Sequence, residues 1–225
     1  MLQLGPILLA LIYALVMFRF SAWRLKRQLD QTSSRLQDAE LQAQIDKMAG
    51  AMQVRDIPVY VQDIPTINGL AAPDGRVFIT QGFIDKYKLG EVSAGEIASV
   101  IAHELGHVAL GHSRKRMIDF SGQNAMRVAL GAILSRFLPG IGGIIANGLG
   151  SLLMAKLSRS DEFEADAYAT ALLLQSGLSV EAQMSLFEKL DKLTGNAGLS
   201  PAWLLSHPKA QDRIAAIQSN YAKWQ

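Results

Sequence analysis

Apolar residues open the chain as one block and afterwards recur at regular spacing. From Leu2 to Phe18 no charge interrupts a run rich in Leu, Ile, Val and Ala. Extended through Phe20 and Trp23, with Arg19 snorkelling, the run reaches the ~20 residues a helix needs to cross a bilayer. The basic residues Arg19, Arg24, Lys26 and Arg27 follow it rather than precede it. That order, and Phe20 in Phe20-Ser21-Ala22, favours an uncleaved transmembrane anchor over residues 1–23 rather than a signal peptide. The positive-inside rule places the following domain in the cytoplasm, with an extracytoplasmic (periplasmic) domain as the alternative.

Beyond the anchor, Leu25, Leu29 and Leu36, then Leu41, Ile45, Met48 and Met52, keep helical spacing with polar residues between them. This predicts an amphipathic linking helix within residues 24–56, its register broken between Leu36 and Leu41. Residues 57–225 then read as the main domain. Pro58 to Gln62 and Arg76 to Thr80 are strand-like, and Pro73-Asp74-Gly75 is a turn signal, so residues 67–80 read as a β-hairpin. An edge strand there is either a cover on a helical core or a place where an extended peptide adds as a strand.

The remainder is helical. Gly82 to Leu89 is a short helix stopping at Gly90, and Ser93-Ala94-Gly95-Glu96 is a capping box that opens the next one. Residues 126–157 are apolar and Gly-rich, broken near Leu138-Pro139-Gly140, and predict two short helices that serve as core, lid or membrane-dipping surface. A helix over Arg159 to Leu174 ends at Gly177, another follows Ser179, and a last one runs through Ile214 and Ile217 after Ser206-His207-Pro208. The pattern as a whole is α+β and mainly helical.

Composition narrows the chemistry. A net charge of +2 without a dense basic run in the domain gives no indication of a nucleic-acid partner, and the absence of cysteine removes disulfides, thiol catalysis and Cys-type zinc sites. Only four histidines occur, at 103, 107, 112 and 207. Two of them form His103-Glu104-Leu105-Gly106-His107 inside the capped helix. Histidines four apart share one helix face and reach one metal ion, while Glu104 is placed to take a proton from metal-bound water. Both lie off the apolar stripe of Ile97, Val100, Ile101, Leu105 and Val108, so they face a different partner. On a continued helix His112 falls almost opposite His103, which makes it structural and not a third ligand. A catalytic zinc site wants three protein ligands and an open position. The donors left are the carboxylates Glu162 and Glu164, with Asp166 on the Glu162 face as an orienting group.

The motifs together resemble the M48 family of zinc metallopeptidases, the group with HtpX-like, BepA-like, OMA1-like and Ste24-like members. The His-Glu-x-x-His is matched at 103–107 and the downstream E-x-x-x-D at Glu162-Phe163-Glu164-Ala165-Asp166. The late His-Pro…Arg is matched at His207-Pro208 and Arg213. The resemblance covers about residues 40–220. It implies a zincin-like domain with one Zn2+ per chain on His103, His107 and Glu162, and Asp166 as that third ligand's supporting partner. It further implies that His207 approaches the metal, to steady the oxyanion or to mask the metal when idle, with Arg213 supporting it, and that Asn68, Gly69, Leu70 and Ala71 form the substrate edge. The membrane content departs from the multi-span members, since one span is evident, and the helical-repeat extension of BepA-like proteins is missing.

The expectation is therefore a singly anchored zinc metalloendopeptidase in which Glu104 activates the water. The resemblance implies extended or damaged membrane-proximal polypeptides as substrates, in protein quality control. Lipid is the second partner, through residues 1–23 and the stretch 126–157. The competing function is a catalytically silent, membrane-anchored zinc-binding adaptor that holds extended chains. Oligomeric state is left open.

Overall fold

A computed structural model describes residues 4–112, 115, 142–195 and 210–224. Helix α1 (Leu4–Thr32) leads into strand β1 (Ser33–Arg35), helix α2 (Ala39–Ala51), and strands β2 (Val59–Gln62), β3 (Gly69–Ala71) and β4 (Val77–Thr80). Helices α3 (Gln81–Lys88), α4 (Ala94–Ala109), α5 (Gly142–Gln175), α6 (Glu181–Gly195) and α7 (Ala210–Trp224) follow. The fold is mainly helical with one small mixed sheet.

The sheet runs β1-β2-β4-β3, with β2 and β4 parallel and both outer pairs antiparallel. The expected hairpin is present, Gly69 opposite Ile79 and Ala71 opposite Val77. Alternation along β4 divides the interior: Val77 and Ile79 enter the main core, while Phe78 turns to the other face to meet Leu29 of α1 and Ala72. β4 is buried throughout because both of its faces are covered.

The predicted linking helix is interrupted. Thr32, Ser33 and Ser34 favour local hydrogen bonding over helix, and Ser33–Arg35 pair with Tyr60–Gln62 instead. Asp38 then caps a new helix by accepting from the Leu41 N–H at 3.0 Å. Its apolar face, Leu41, Ile45 and Met48, lies in the main core with α4, so this segment is part of the packed domain.

α4 is the central element. Its capping box forms as expected: Ser93 Oγ accepts from the Glu96 N–H, and Glu96 Oε2 accepts from the Ser93 N–H at 2.7 Å. Glu96 also takes hydrogen bonds from Ser185 and Lys189, which fixes the start of α4 to α6. Every residue from Glu96 to His107 is buried. Ile97, Val100, Ile101 and Leu105 face the apolar core, leaving the histidine side to α5.

Downstream, one helix replaces two expected ones. α5 is continuous from Gly142 to Gln175, since no proline falls within it and Leu152 to Leu157 carry good helix formers. The joint at Pro139-Gly140 lies outside the described residues. Among those described, no helix is long and apolar enough to cross a membrane. α1 does expose Leu8, Ile12, Tyr13, Leu15, Val16, Phe20 and Trp23.

Candidate metal centre

α4 and α5 approach so closely that a side chain between them has no room. A Cβ on Gly106 would stand 2.9 Å from the Ala165 carbonyl oxygen and 3.0 Å from its Cα. The glycine inside the His-Glu-x-x-His therefore sets the separation at which Glu162, one turn before Ala165, reaches both histidines.

Three buried donors converge there. The Nε2 atoms of His103 and His107 are 3.1 Å apart, and Glu162 places Oε2 3.3 Å from the first and Oε1 3.4 Å from the second. Bonds of about 2.0–2.1 Å to a tetrahedral ion separate neighbouring donors by about 3.3–3.4 Å. His103, His107 and Glu162 thus have the spacing, and the two-nitrogen, one-oxygen chemistry, to hold a metal ion of this type. Glu162 is fully buried and occupies the position of the third donor; Glu164 points away and is largely exposed.

The supporting groups are as ordered as the donors. Asp166 Oδ1 lies 2.9 Å from His103 Nδ1, so the ring donates from Nδ1 and turns its Nε2 lone pair to the centre. Asp166 was expected to support Glu162; the structure sets it on His103 instead, because residue 166 is one turn further along α5. Arg213 of α7, fully buried, grips Asp166 with Nε and Nη2 at 2.6 Å each and places Nη1 3.7 Å from Glu162. Its guanidinium stacks on Phe187 with Cζ 4.4 Å from the ring centroid. The support of His207 by Arg213 that the resemblance implies falls outside the described residues, as does His207 itself.

The electrostatics favour a cation. Burial opposes charge on His103, yet the hydrogen bonds to Asp166 and Glu162 and the Asp166 charge push its pKa up to about 9 in the metal-free protein. Asp166 loses solvation, but the Arg213 charge and hydrogen bonds hold its pKa below the usual carboxylate value.

Glu104 is buried beside the sheet edge. A Cβ on Gly69 would stand 2.8 Å from Val100 Cγ1 and 3.0 Å from Glu104 Oε1, so β3 touches the carboxylate that sequence assigns as the base. Thr80 N–H donates to the Asn68 carbonyl and Ala72 N–H to that of Arg76. By the alternation of an antiparallel pair, Gly69 and Ala71 then turn their own N–H and C=O groups to the outer edge. No further strand pairs there among the described residues. The Leu70 side chain packs on the α1 face.

One residue was misplaced by sequence reasoning. α4 does not continue to Ser113: it ends at Ala109, and Gly111 takes φ +72°, reversing the chain. His112 swings back and sets its Nδ1 3.0 Å from His107 Nδ1. Its Nε2 faces Glu164 Oε2 at 3.4 Å and Asp161 Oδ1 at 3.8 Å. Gly111 after the last regular turn was the available signal.

A buried His-Glu-x-x-His helix, completed by a carboxylate from a second helix and flanked by the edge of a small mixed sheet, defines a zincin-like metal site. The chain belongs to peptidase family M48, whose family model matches residues 35–221. Among curated relatives, it is 33% identical over 160 residues to Metalloprotease LoiP of Escherichia coli, covering 68% of this chain and 58% of that protein. Metalloprotease YcaL, also of Escherichia coli, is 34% identical over 159 residues, covering 69% of this chain and 59% of the relative. Mitochondrial metalloendopeptidase OMA1 of Schizosaccharomyces pombe is 31% identical over 161 residues, covering 68% and 43%. The matched region thus spans less than two thirds of the length of each of these relatives.

Proposed function

We propose that this chain is a membrane-anchored, zinc-dependent metalloendopeptidase that hydrolyses extended polypeptides. The observation that carries the reading is the set of 3.1–3.4 Å separations among the His103, His107 and Glu162 donors, on the helix that also holds Glu104. Names of relatives as metalloproteases and metalloendopeptidases support it.

Zinc, when bound, supplies a Lewis acid for the scissile carbonyl and an acidified water. The chain does the rest. Asp166 and Arg213 hold His103 so that its Nε2 faces His107 and Glu162, the residues that would hold the metal with it. The substrate adds as a strand to the outer edge of β3, through the N–H and C=O groups of Gly69 and Ala71, which brings its backbone past Glu104. Glu104 accepts the water's proton and returns it to the leaving amine. His207 is the proposed oxyanion donor. Glu104 favours this reading over a silent adaptor, since holding a metal does not require that carboxylate.

The apolar segment 1–23 serves as the anchor, with the exposed apolar row on α1 as support. The basic residues after it support a cytoplasmic domain. The apolar stretch 126–157 is proposed as a second contact with lipid. Membrane or membrane-proximal polypeptides are the proposed substrates, in quality control. Casein cleavage by the full chain in detergent tests the activity: zinc-loaded protein cleaves, chelated protein does not, and added zinc restores cleavage. Cleavage that persists after chelation overturns the metal dependence. Reporter fusions after residue 30 and at the C-terminus test sidedness, a periplasm-active reporter at both positions contradicting the orientation.

A further inference from the structure

We infer that His112 is a positioning residue that selects the metal-binding tautomer of His107. The inference rests on the reading of His107 as a ligand through Nε2. The two facing Nδ1 atoms, 3.0 Å apart and buried, are close enough that one must donate and the other accept. Two arrangements satisfy them when both rings are neutral.

In the first, His107 carries its proton on Nδ1 and donates to His112. Its Nε2 lone pair is then free for a metal ion. His112 accepts at Nδ1, so its own proton sits on Nε2, facing the carboxylates of Glu164 and Asp161. In the second, His112 donates and His107 carries its proton on Nε2. That proton then lies between His103 Nε2 at 3.1 Å and Glu162 Oε1 at 3.4 Å, in the space the ion requires.

The carboxylates decide between them. An ionised carboxylate only accepts, so Glu164 and Asp161 favour the arrangement with N–H at His112 Nε2. At 3.4 and 3.8 Å they act as an electrostatic bias more than as tight hydrogen bonds. Lys115 Nζ, 3.7 Å from Asp161 Oδ1, shares that acid, which leaves Glu164 as the nearer partner of the ring. His103 receives its tautomer from a carboxylate directly, and His107 receives the same instruction through a second imidazole. Glu164, which sequence weighs as a ligand, acquires a different task.

Competition of the full-length protein in detergent against a chromophoric zinc chelator tests this, with folding followed by circular dichroism. His112→Leu fills the space without an acceptor and is expected to weaken zinc binding about 10- to 100-fold. His112→Asn, whose amide oxygen accepts near the former Nδ1, is expected to stay within about threefold of wild type, a rescue that a purely space-filling role does not give. Glu164→Gln, on an exposed side chain that leaves the fold intact, is expected to lose affinity by a few-fold. Unchanged affinity in a folded His112→Leu overturns the inference, as does an Asn variant no better than Leu. If His112→Leu does not fold, wild-type affinity in Glu164→Gln, or loss of more than tenfold in His112→Asn, overturns it. Stoichiometric zinc retained in His107→Ala would instead overturn the ligand assignment beneath it.

Discussion

Gly106 of α4 rests against the Ala165 backbone of α5, with a Cβ at that position only 2.9 Å from the Ala165 carbonyl oxygen. The contact fixes the helix spacing on which the three donors depend, because His103 and His107 lie on one side of it and Glu162 on the other. Gly106→Ala must push the helices apart. Overpacking of this kind destabilises by about 1–3 kcal/mol, and the same shift draws Glu162 back from the histidines. Urea unfolding and zinc titration of the variant should both be impaired; normal zinc affinity would show that the spacing has slack.

Removing Arg213 strands Asp166 as a buried carboxylate. Arg213→Ala is expected to lose about 3–5 kcal/mol of stability, and Arg213→Met with Asp166→Leu should recover much of it while failing to restore zinc binding. Chemical denaturation beside metal analysis separates the two effects. A double variant that regains full zinc affinity would show that neither residue orients His103.

Glu96 sets an acid limit on the fold. Burial disfavours its charge, but the Ser93 N–H, Lys189 and Ser185 outweigh this and lower its pKa from the ordinary 4.5. A folded-state value below the unfolded one means that stabilisation is present above about pH 4.5 and is lost as pH falls through the folded value. Glu96→Gln should be about 1–2 kcal/mol less stable at pH 7, with a gap to wild type that narrows below pH 4.5. Melting temperatures of both proteins across pH 3–7 give the comparison, and a constant gap would deny Glu96 this role.

At the sheet edge, Ala71→Pro removes one outward N–H from β3. A lost backbone hydrogen bond of about 1 kcal/mol corresponds to roughly a fivefold fall in kcat/KM on an unfolded polypeptide, carried by KM. Zinc content should not change. Unaltered kinetics would mean that the substrate does not add to this edge.

Much of this was legible where one local rule governs. The Ser93–Glu96 cap, the turn at Asp74-Gly75 and the shared face of His103 and His107 each follow from spacing within one element, and all are present. What escaped depends on where an element stops. Leu29 and Leu36 keep helical spacing across Ser33–Arg35, yet β1 forms because β2 offers an edge that pattern cannot show. A helix continued past Gly111 sets His112 opposite His103; the reversal at Gly111 brings it to His107. Choosing Glu162 over Glu164 needed the family pattern, since two acids on opposite faces of α5 are distinguished only by what packs beside them.

The central claim is that Glu104 moves the proton in a zinc-dependent hydrolysis. Casein cleavage by zinc-loaded wild type and Glu104→Gln, each shown to hold one zinc per chain, tests it most directly. Cleavage by wild type and a loss of at least about a hundredfold in Glu104→Gln, with zinc retained, is the expected result. Equal cleavage by both, or none by either despite bound zinc, would contradict the account.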